Sequence, residues 1–306
     1  MERKKVVISG VNGFVGHHLA RELQSRGVFI IGIGNDNAVS ENLIDIVDEY
    51  YSQNLVEAGP NTGIVDGVVH LAGLAAVGPS FDDPQLYINT NSAMVTNLGE
   101  YYTSHDKKPR VLIVSSGAIY SPDQSMPINE NAKLGLSSPY AVSKVLTENQ
   151  ATYYNGRGLD CVIARPFNHI GPGQGRGFIL PDFYNRIAEA TGSAISVGNI
   201  NTKRDYTDVR DIVKAYAGLI LASTLKYPTY NVCSGESLSG NEILDKLKTA
   251  MKKESMQFEV DPALIRPTDI LEIAGDSSRL RNELQWEPSY SIDQTIQDFV
   301  HSKENE

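Results

Sequence analysis

The sequence predicts an α/β fold: a doubly wound parallel sheet, with a smaller α/β part assembled from the later segments. Three observations lead there. Short runs rich in β-branched residues alternate with longer helical patterns through the first half. Those runs are almost continuously apolar, as strands buried on both faces of a parallel sheet are. Glycines stand at the first strand-to-helix junction. Such alternation calls for right-handed crossovers, and these lay helices over both faces of the sheet.

Taken in order, "KKVVISG" is the first strand and residues 14–26 the first helix. "VFIIGI" and "GVVHLAG" are the next strands, followed by a helix over 86–102, the strand "RVLIVSSG", a helix from 140 onward and the strand "DCVIARPF". After Arg165 the texture changes: Gly and Pro in "NHIGPGQGRGF" make a loop, and a helix follows over 181–190. "TYNVCSG" is strand-like, "SGNEILDKLKTAMKK" helical, and "PALIRPTDI" irregular. No internal repeat or low-complexity segment is visible.

With 306 residues, 41% hydrophobic and 21% charged, the composition is that of a globular protein with a full core. Lys+Arg 27 against Asp+Glu 37 leaves a net charge of -10, which argues against a general nucleic-acid or anionic-membrane surface. Neither a signal peptide nor a spanning helix fits "MERKKVVISG". Two cysteines, Cys161 and Cys233, are too few for a disulfide scaffold in a chain this long and read as buried packing residues. The expectation is a cytoplasmic protein with reduced thiols.

"ISGVNGFVGHHLARELQSRG" carries Gly10, Gly13 and Gly16, with Phe14 and Val15 opening the helix. Glycines there permit a tight turn, close backbone approach to a pyrophosphate and close helix-on-strand packing, while the helix start offers free N–H groups. The spacing is G-x-x-G-x-x-G, so a plain structural turn remains the alternative; its place after the first strand favours a dinucleotide. The second strand ends "IIGIGNDNAVS" without Arg or Lys, and Asp36 is the acid near it. That points to NAD over NADP, with a loop-capping Asp as the alternative.

Tyr140 and Lys144 in "SPYAVSK" share one helix face. Alone they would be an exposed pair. The strand "VLIVSSGAIYS", however, presents Ser115 and Ser116 at its carboxyl end, where ligands of open α/β sheets sit. A free phenol has a pKa near 10, so an acid/base phenol at neutral pH gains from a nearby cation that stabilises its anion. Lys144 is expected to be that cation.

These motifs, with "VVHLAG" between them, resemble the extended short-chain dehydrogenase/reductase family, whose pattern is a glycine turn of this spacing, a strand-end Ser or Thr and Tyr-x-x-x-Lys. The resemblance implies a Rossmann-type sheet, NAD or NADP as cofactor, Ser116 as the substrate-orienting hydroxyl, Tyr140 as acid/base, Lys144 as its partner and a ribose contact, and cofactor contacts at Leu71 and Ala72. It also implies a homodimer built from paired helices of the first domain. Family dehydratases carry a carboxylate one or two positions after the strand-end hydroxyl, where this chain has Gly117 and Ala118. Dehydration is therefore disfavoured.

Further segments, "RPFNHIGPGQ", "GNINTKRDYTDVRD", "YNVCSGESLSGNEIL" and "VDPALIRPTDILEIAGDSSRLRNELQWEPSYSI", resemble the GDP-4-keto-6-deoxy-mannose reductases and extend the likeness over nearly the whole chain. They imply a nucleotide-diphosphate sugar as substrate. An acidic protein holding such an anion needs local cations, and Lys203, Arg204, Arg266, Arg279 and Arg281 lie in these segments. Arg204, Arg266 and Arg279 are candidate diphosphate or nucleoside contacts; for the last two, structural salt bridges fit equally. Asn168 and His169 are candidate contacts in the glycine-rich loop. No metal set is visible: the six His are scattered, and His17 and His18 lack partners at ligand spacing. Tyr153, Tyr154 and Trp286 read as packing or rim residues.

The expected division is a dinucleotide-binding domain of residues 1–165 and 204–234, with a nucleotide-sugar-binding domain of 166–203 and 235–306. The expected activity is reduction of the C4 ketone of a nucleotide-activated 4-keto-6-deoxyhexose. A nucleotide-sugar 4-epimerase with tightly held NAD and a non-catalytic NAD(P)-binding regulator are the alternatives.

Overall fold

Each apolar run of the first half becomes a strand covered on both faces, and the helical patterns become the layers that cover them. A computed structural model describes residues 3–265 and 270–305. The strand β1 (Lys5–Ser9) leads into helix α1 (Phe14–Ser25), followed by β2 (Phe29–Gly34), β3 (Glu49–Ser52), β4 (Gly67–His70), α2 (Pro84–Thr103), β5 (Arg110–Val114), α3 (Pro139–Gly156) and β6 (Asp160–Pro166). The later elements are β7 (Asn168–Ile170), α4 (Ile179–Ala188), β8 (Ala194–Val197), β9 (Lys203–Asp208), α5 (Val209–Leu221), β10 (Thr229–Val232), β11 (Ser237–Ser239), α6 (Gly240–Ala250), β12 (Gln257–Val260), β13 (Glu272–Ile273), α7 (Ser278–Leu284) and α8 (Ile292–Glu304).

A seven-stranded parallel sheet runs in the order β10-β6-β5-β4-β1-β2-β3. The order reverses between β1 and β4, which opens a crevice at their carboxyl ends, the place where such sheets receive ligands. Val6, Ile8, Ile30, Val69, Leu112 and Val162 pack with α1 and α5 on one face. Val7, Ile31, Val68, Val111, Ile113 and Ile163 pack with α2 and α3 on the other.

A smaller sheet has the order β11-β9-β13, with β7 also pairing β9, and β8 and β12 form a two-stranded ribbon. Their apolar side chains, with α4, α6 and α8, build a separate core around Leu180, Tyr206, Leu244 and Phe299. Between the two lies a small cluster of Tyr120, Ile128, Phe167, Cys233 and Ile273. Both cysteines are buried.

Several segments fall differently from the sequence expectation; β7, for one, opens the stretch read as a loop, because Asn168, His169 and Ile170 pair with β9 before the glycines begin. β3 was not anticipated: its "EYYS" is exposed or half-buried on the sheet edge, so it lacks the apolar run that marks the inner strands. β9 belongs to the smaller sheet, although residues from 204 onward were expected with the larger one; α5 and β10, which follow it, do return there. Leu280 and Trp286, expected in the second part, pack in the first core, and the Trp286 indole N–H donates to the Asp211 carbonyl at 2.9 Å.

Candidate active site

The glycine turn is built by close approach. Gly10 has φ +73, and a Cβ there would come 2.9 Å from the Ala72 nitrogen; a Cβ on Gly16 would lie 2.4 Å from the carbonyl oxygens of Gly10 and Val11. The turn thus packs on Leu71 and Ala72, where the Ala72 N–H reaches the Ser9 hydroxyl at 3.3 Å. Gly13 is the N-cap of α1 and offers no side chain to its first N–H groups, Phe14, Val15 and Gly16 among them. A helix start left uncapped in this way fits an anionic pyrophosphate. At the end of β2 Asp36 is exposed, and its carboxylate accepts a 2.8 Å bond from the Asn12 amide, which reaches over from the glycine turn.

Ser138 caps α3 by accepting from the Ala141 N–H at 3.1 Å, and Pro139 occupies the first turn. That start holds Tyr140, 7% exposed, over the end of β5. There the Ser116 hydroxyl accepts the Ala118 N–H at 3.1 Å and lies near enough to the Tyr140 phenol to affect its pKa. Lys144 lies one turn below Tyr140, half-buried, and its ammonium donates to the Val114 carbonyl at 2.9 Å. The structure therefore brings Ser116, Tyr140 and Lys144 together at the carboxyl end of β5.

One expectation changes. The Lys144 nitrogen sits 5.8 Å from the Tyr140 ring centroid and is turned toward β5, and burial raises the phenol pKa above its ordinary value. The Ser116 hydroxyl pulls it the other way, while Tyr87 pushes it further up. Tyr140 is thus a protonated phenol, the state required of a proton donor. Burial lowers Lys144 to about 8, opposed by the negative charge of Glu148. His70, at the end of β4 and 2.7 Å from the Ser9 hydroxyl, falls to about 3 through burial and the Lys144 charge, so it stays neutral.

Of the expected substrate contacts, Asn168 is exposed and His169 half-buried on β7, beside α1: the His169 ring stacks on Phe14 at 6.1 Å, and His18 bonds the Pro172 carbonyl at 2.9 Å. Arg204, on β9, donates to the Lys203 and Ile270 carbonyls at 2.8 Å each. Arg266 lies outside the described residues. Arg279 is engaged elsewhere: it donates to the Asn131 side chain at 2.7 Å, lies 3.3 Å from the Glu130 carboxylate and stacks 4.6 Å over Tyr227. This is the structural ion pair with which "SSRL" was equally compatible.

Sequence reasoning passed over Asn91, whose side chain binds the Leu74 N–H at 2.9 Å and the Ser143 hydroxyl at 2.9 Å and so ties the loop after β4 to α3. It also passed over Glu148, whose position four after Lys144 was the available signal. A Cβ on Gly117 would lie 2.9 Å from the Phe167 ring, so the position lacks room for an acidic side chain. Among the described residues no group of three or more His, Cys, Asp or Glu could hold a metal ion, and no helix is long and apolar enough to cross a membrane.

Comparison with known proteins bears on the same segments. The family model described as GDP-mannose 4,6 dehydratase matches residues 7–299. The GDP-6-deoxy-D-mannose reductase of Pseudomonas aeruginosa is 28% identical over 99% of this chain and 98% of its own. RMD from Pseudomonas aeruginosa, solved in complex with NADPH, superposes with a TM-score of 0.84 at 27% identity, covering 99% of each chain. The UDP-glucose 4-epimerase of Thermus thermophilus, solved with NAD, gives a TM-score of 0.83 at 25% identity over 97% of this chain and 98% of that one.

Proposed function

The chain belongs to the GDP-mannose 4,6-dehydratase family of nucleotide-sugar-modifying short-chain dehydrogenases/reductases, and from that premise we propose that it reduces the C4 ketone of a nucleotide-activated 4-keto-6-deoxyhexose, GDP-4-keto-6-deoxy-D-mannose first among them. The observation that carries this reading is the placing of the Ser116 hydroxyl against the protonated Tyr140 phenol, whose pKa it pulls down, beside positions 117 and 118 that hold no acid. Elimination of water needs a further acid and base there; reduction of a ketone does not.

A reduced nicotinamide, when bound, supplies the hydride. The chain's own residues do the rest. Gly10, Gly13, Phe14, Val15 and Gly16 would hold the pyrophosphate, Leu71 and Ala72 the adjoining part of the cofactor, Asp36 the adenosine ribose and Lys144 the nicotinamide ribose. Ser116 aligns the ketone oxygen. As C4 gains hydride, the Tyr140 O–H bond breaks and its proton passes to that oxygen, leaving an alcohol at C4 and a phenolate that solvent reprotonates. Lys144 and the start of α3, with its positive dipole end, favour that phenolate as it forms. Asn168, His169 and Arg204 would hold the sugar and diphosphate, with Arg266 as a further candidate. The product is a GDP-6-deoxyhexose, GDP-rhamnose or its C4 epimer GDP-6-deoxy-talose according to the face that takes the hydride.

The division into a cofactor part and a sugar part, a cytoplasmic location and a homodimer through α2 and α3 belong to the same proposal. A second reading, a 4-epimerase with retained NAD, draws on the lack of Arg or Lys at the β2 turn. One experiment separates the two. NADH and NADPH oxidation is followed with GDP-4-keto-6-deoxymannose made in place, and with the dTDP and UDP ketosugars, after the purified protein has been inspected for bound-cofactor absorbance. Oxidation by a protein purified empty supports the reductase. Retained NAD and no net oxidation with any of the three sugars would turn the assignment to the epimerase.

A further inference from the structure

Tyr140, Lys144 and Glu148 recur every four residues along α3 and share one face, each about 6 Å of helix from the next. The first two belong to the proposed chemistry; the third has no part in it so far. Glu148 is 7% exposed, and so is Arg165 on β6. Arg165 donates to both Glu148 carboxylate oxygens, at 2.9 Å and 2.7 Å, in the two-point geometry of a guanidinium on a carboxylate. Its remaining nitrogen reaches the Tyr120 hydroxyl at 2.8 Å and the Glu130 carbonyl at 3.2 Å. Tyr120 in turn donates to the Asn231 side chain at 2.7 Å, and Asn231 donates to the Ile128 and Asp276 carbonyls at 2.9 Å and 3.1 Å.

This block joins the segments next to Ser116, Lys144 and Asn168. Tyr120 stands four residues after Ser116, Arg165 three before Asn168, and Glu148 one turn after Lys144. Stability alone is a weak reason for a buried ion pair, because well-packed apolar residues of the same volume commonly do as well or better. A reason lies one turn away. The Lys144 ammonium is hydrogen-bonded to a neutral carbonyl, and the other groups that face it supply no negative charge: His70 from β4 is neutral, Asn91 from α2 is uncharged, and Tyr140 is a protonated phenol. Arg165 is a cation, already turned into its pair with Glu148.

We propose that Glu148 is a positioning residue of this active site: its carboxylate, clamped by Arg165, is the fixed counter-charge of the Lys144 ammonium and holds it in the form that supports Tyr140. The inference rests on the reading of Lys144 as the partner of Tyr140. Burial drives Lys144 toward its neutral form, and Glu148 is the group that opposes this. Arg165 and Tyr120 act by keeping the carboxylate in place.

The test reads the charge on Lys144 directly. Full-length protein labelled with 13C at the lysine Cε is titrated by 1H–13C NMR, with Lys144 assigned through Lys144→Arg. Wild type is compared with Glu148→Gln and with the double variant Glu148→Gln/Arg165→Met, which removes both charges and leaves no unpaired guanidinium. The Lys144 midpoint is expected to fall by about one unit in both, the lower end of what a neighbouring opposite charge produces, with near-UV circular dichroism showing the fold kept. A midpoint unchanged in the folded double variant would overturn the proposal. The titration needs no substrate, so a midpoint that falls in a protein inactive on every ketosugar would sink the reductase reading and leave this one standing.

Discussion

Ser116 and Tyr140 face each other across the gap between the end of β5 and the first turn of α3: the serine oxygen accepts the Ala118 N–H at 3.1 Å, and the hydroxyl lies near enough to the phenol to pull its pKa down against burial. The serine is thus oriented by the protein before any ligand arrives. Replacing Tyr140 by Phe removes the proton donor, and reduction should fall by roughly 100- to 10,000-fold, the usual worth of a positioned acid. Ser116→Ala should cost less, because the donor survives and only its alignment is lost. Steady-state rates check both, alongside cofactor binding by fluorescence, which should change little. A Tyr140→Phe enzyme within tenfold of wild type would rule the phenol out as the donor.

Lys144 gives the pH dependence a sign. Its folded-state pKa of about 8 lies below the ordinary lysine value of about 10.4, so between those two pH values the unfolded chain binds more protons than the folded one. On linkage grounds the destabilising contribution of Lys144 is fully present below about 8 and is relieved as pH rises toward about 10. Activity should move the other way, falling above pH 8 as the ammonium is lost. Opposite slopes in denaturant stability and in kcat/KM over this window, both flattened in Lys144→Met, are the expected pattern; parallel slopes would mean that another group controls the alkaline limb.

Gly117 bears on reaction class. Its missing side chain leaves room for Phe167, which belongs to the cluster joining the two sheets and precedes Asn168. Gly117→Ala should therefore push on a packed ring and cost about 1–3 kcal/mol, as overpacking does, while reducing activity through Asn168. Thermal melts and assays of the same preparations test this. Gly117→Asp, placing a carboxylate where family dehydratases carry one, should lower stability further and produce no dehydration of a GDP-hexose; a gain of dehydration would show that the acid alone was lacking.

What could be read from the sequence divides along physical lines. Strands with two covered faces announce themselves as apolar runs, and Tyr140 and Lys144 as a spacing within one helix, so these were legible; Ser116 was singled out over Ser115 by the family resemblance. β3 is an edge strand with no such run. Arg279 finds Asn131, 148 residues earlier in the chain, and no local pattern predicts that meeting. The direction taken by the Lys144 amine, to the Val114 carbonyl with the Tyr140 ring centroid 5.8 Å off, depends on how α3 sits against β5. Glu148 lay in plain sight at helical spacing, but its meaning required Arg165, which reaches it only once β6 is in place.

The turn after β2 leads to the last prediction. Asn12, in the glycine turn, donates to the Asp36 carboxylate at 2.8 Å and to the Ala38 carbonyl at 3.0 Å, and its own oxygen accepts the Ser40 N–H at 3.0 Å. Tyr50 donates to the Asp36 carbonyl at 2.8 Å from β3. The loop is therefore pinned from two sides with its carboxylate facing out, and residues 34–40 contain no Lys or Arg. A carboxylate so held accepts a ribose 2′-hydroxyl and repels a 2′-phosphate. NADH should bind at least about tenfold more tightly than NADPH, a preference of about 1.4 kcal/mol. The gap should narrow in Asp36→Ala through a gain for NADPH, and in Asn12→Ala through a loss for NADH. Quenching of protein fluorescence on titration with each cofactor reads these affinities without turnover. Tighter binding of NADPH by the wild type would mean that a cation from another segment reaches the 2′-phosphate and that Asp36 does not set the choice.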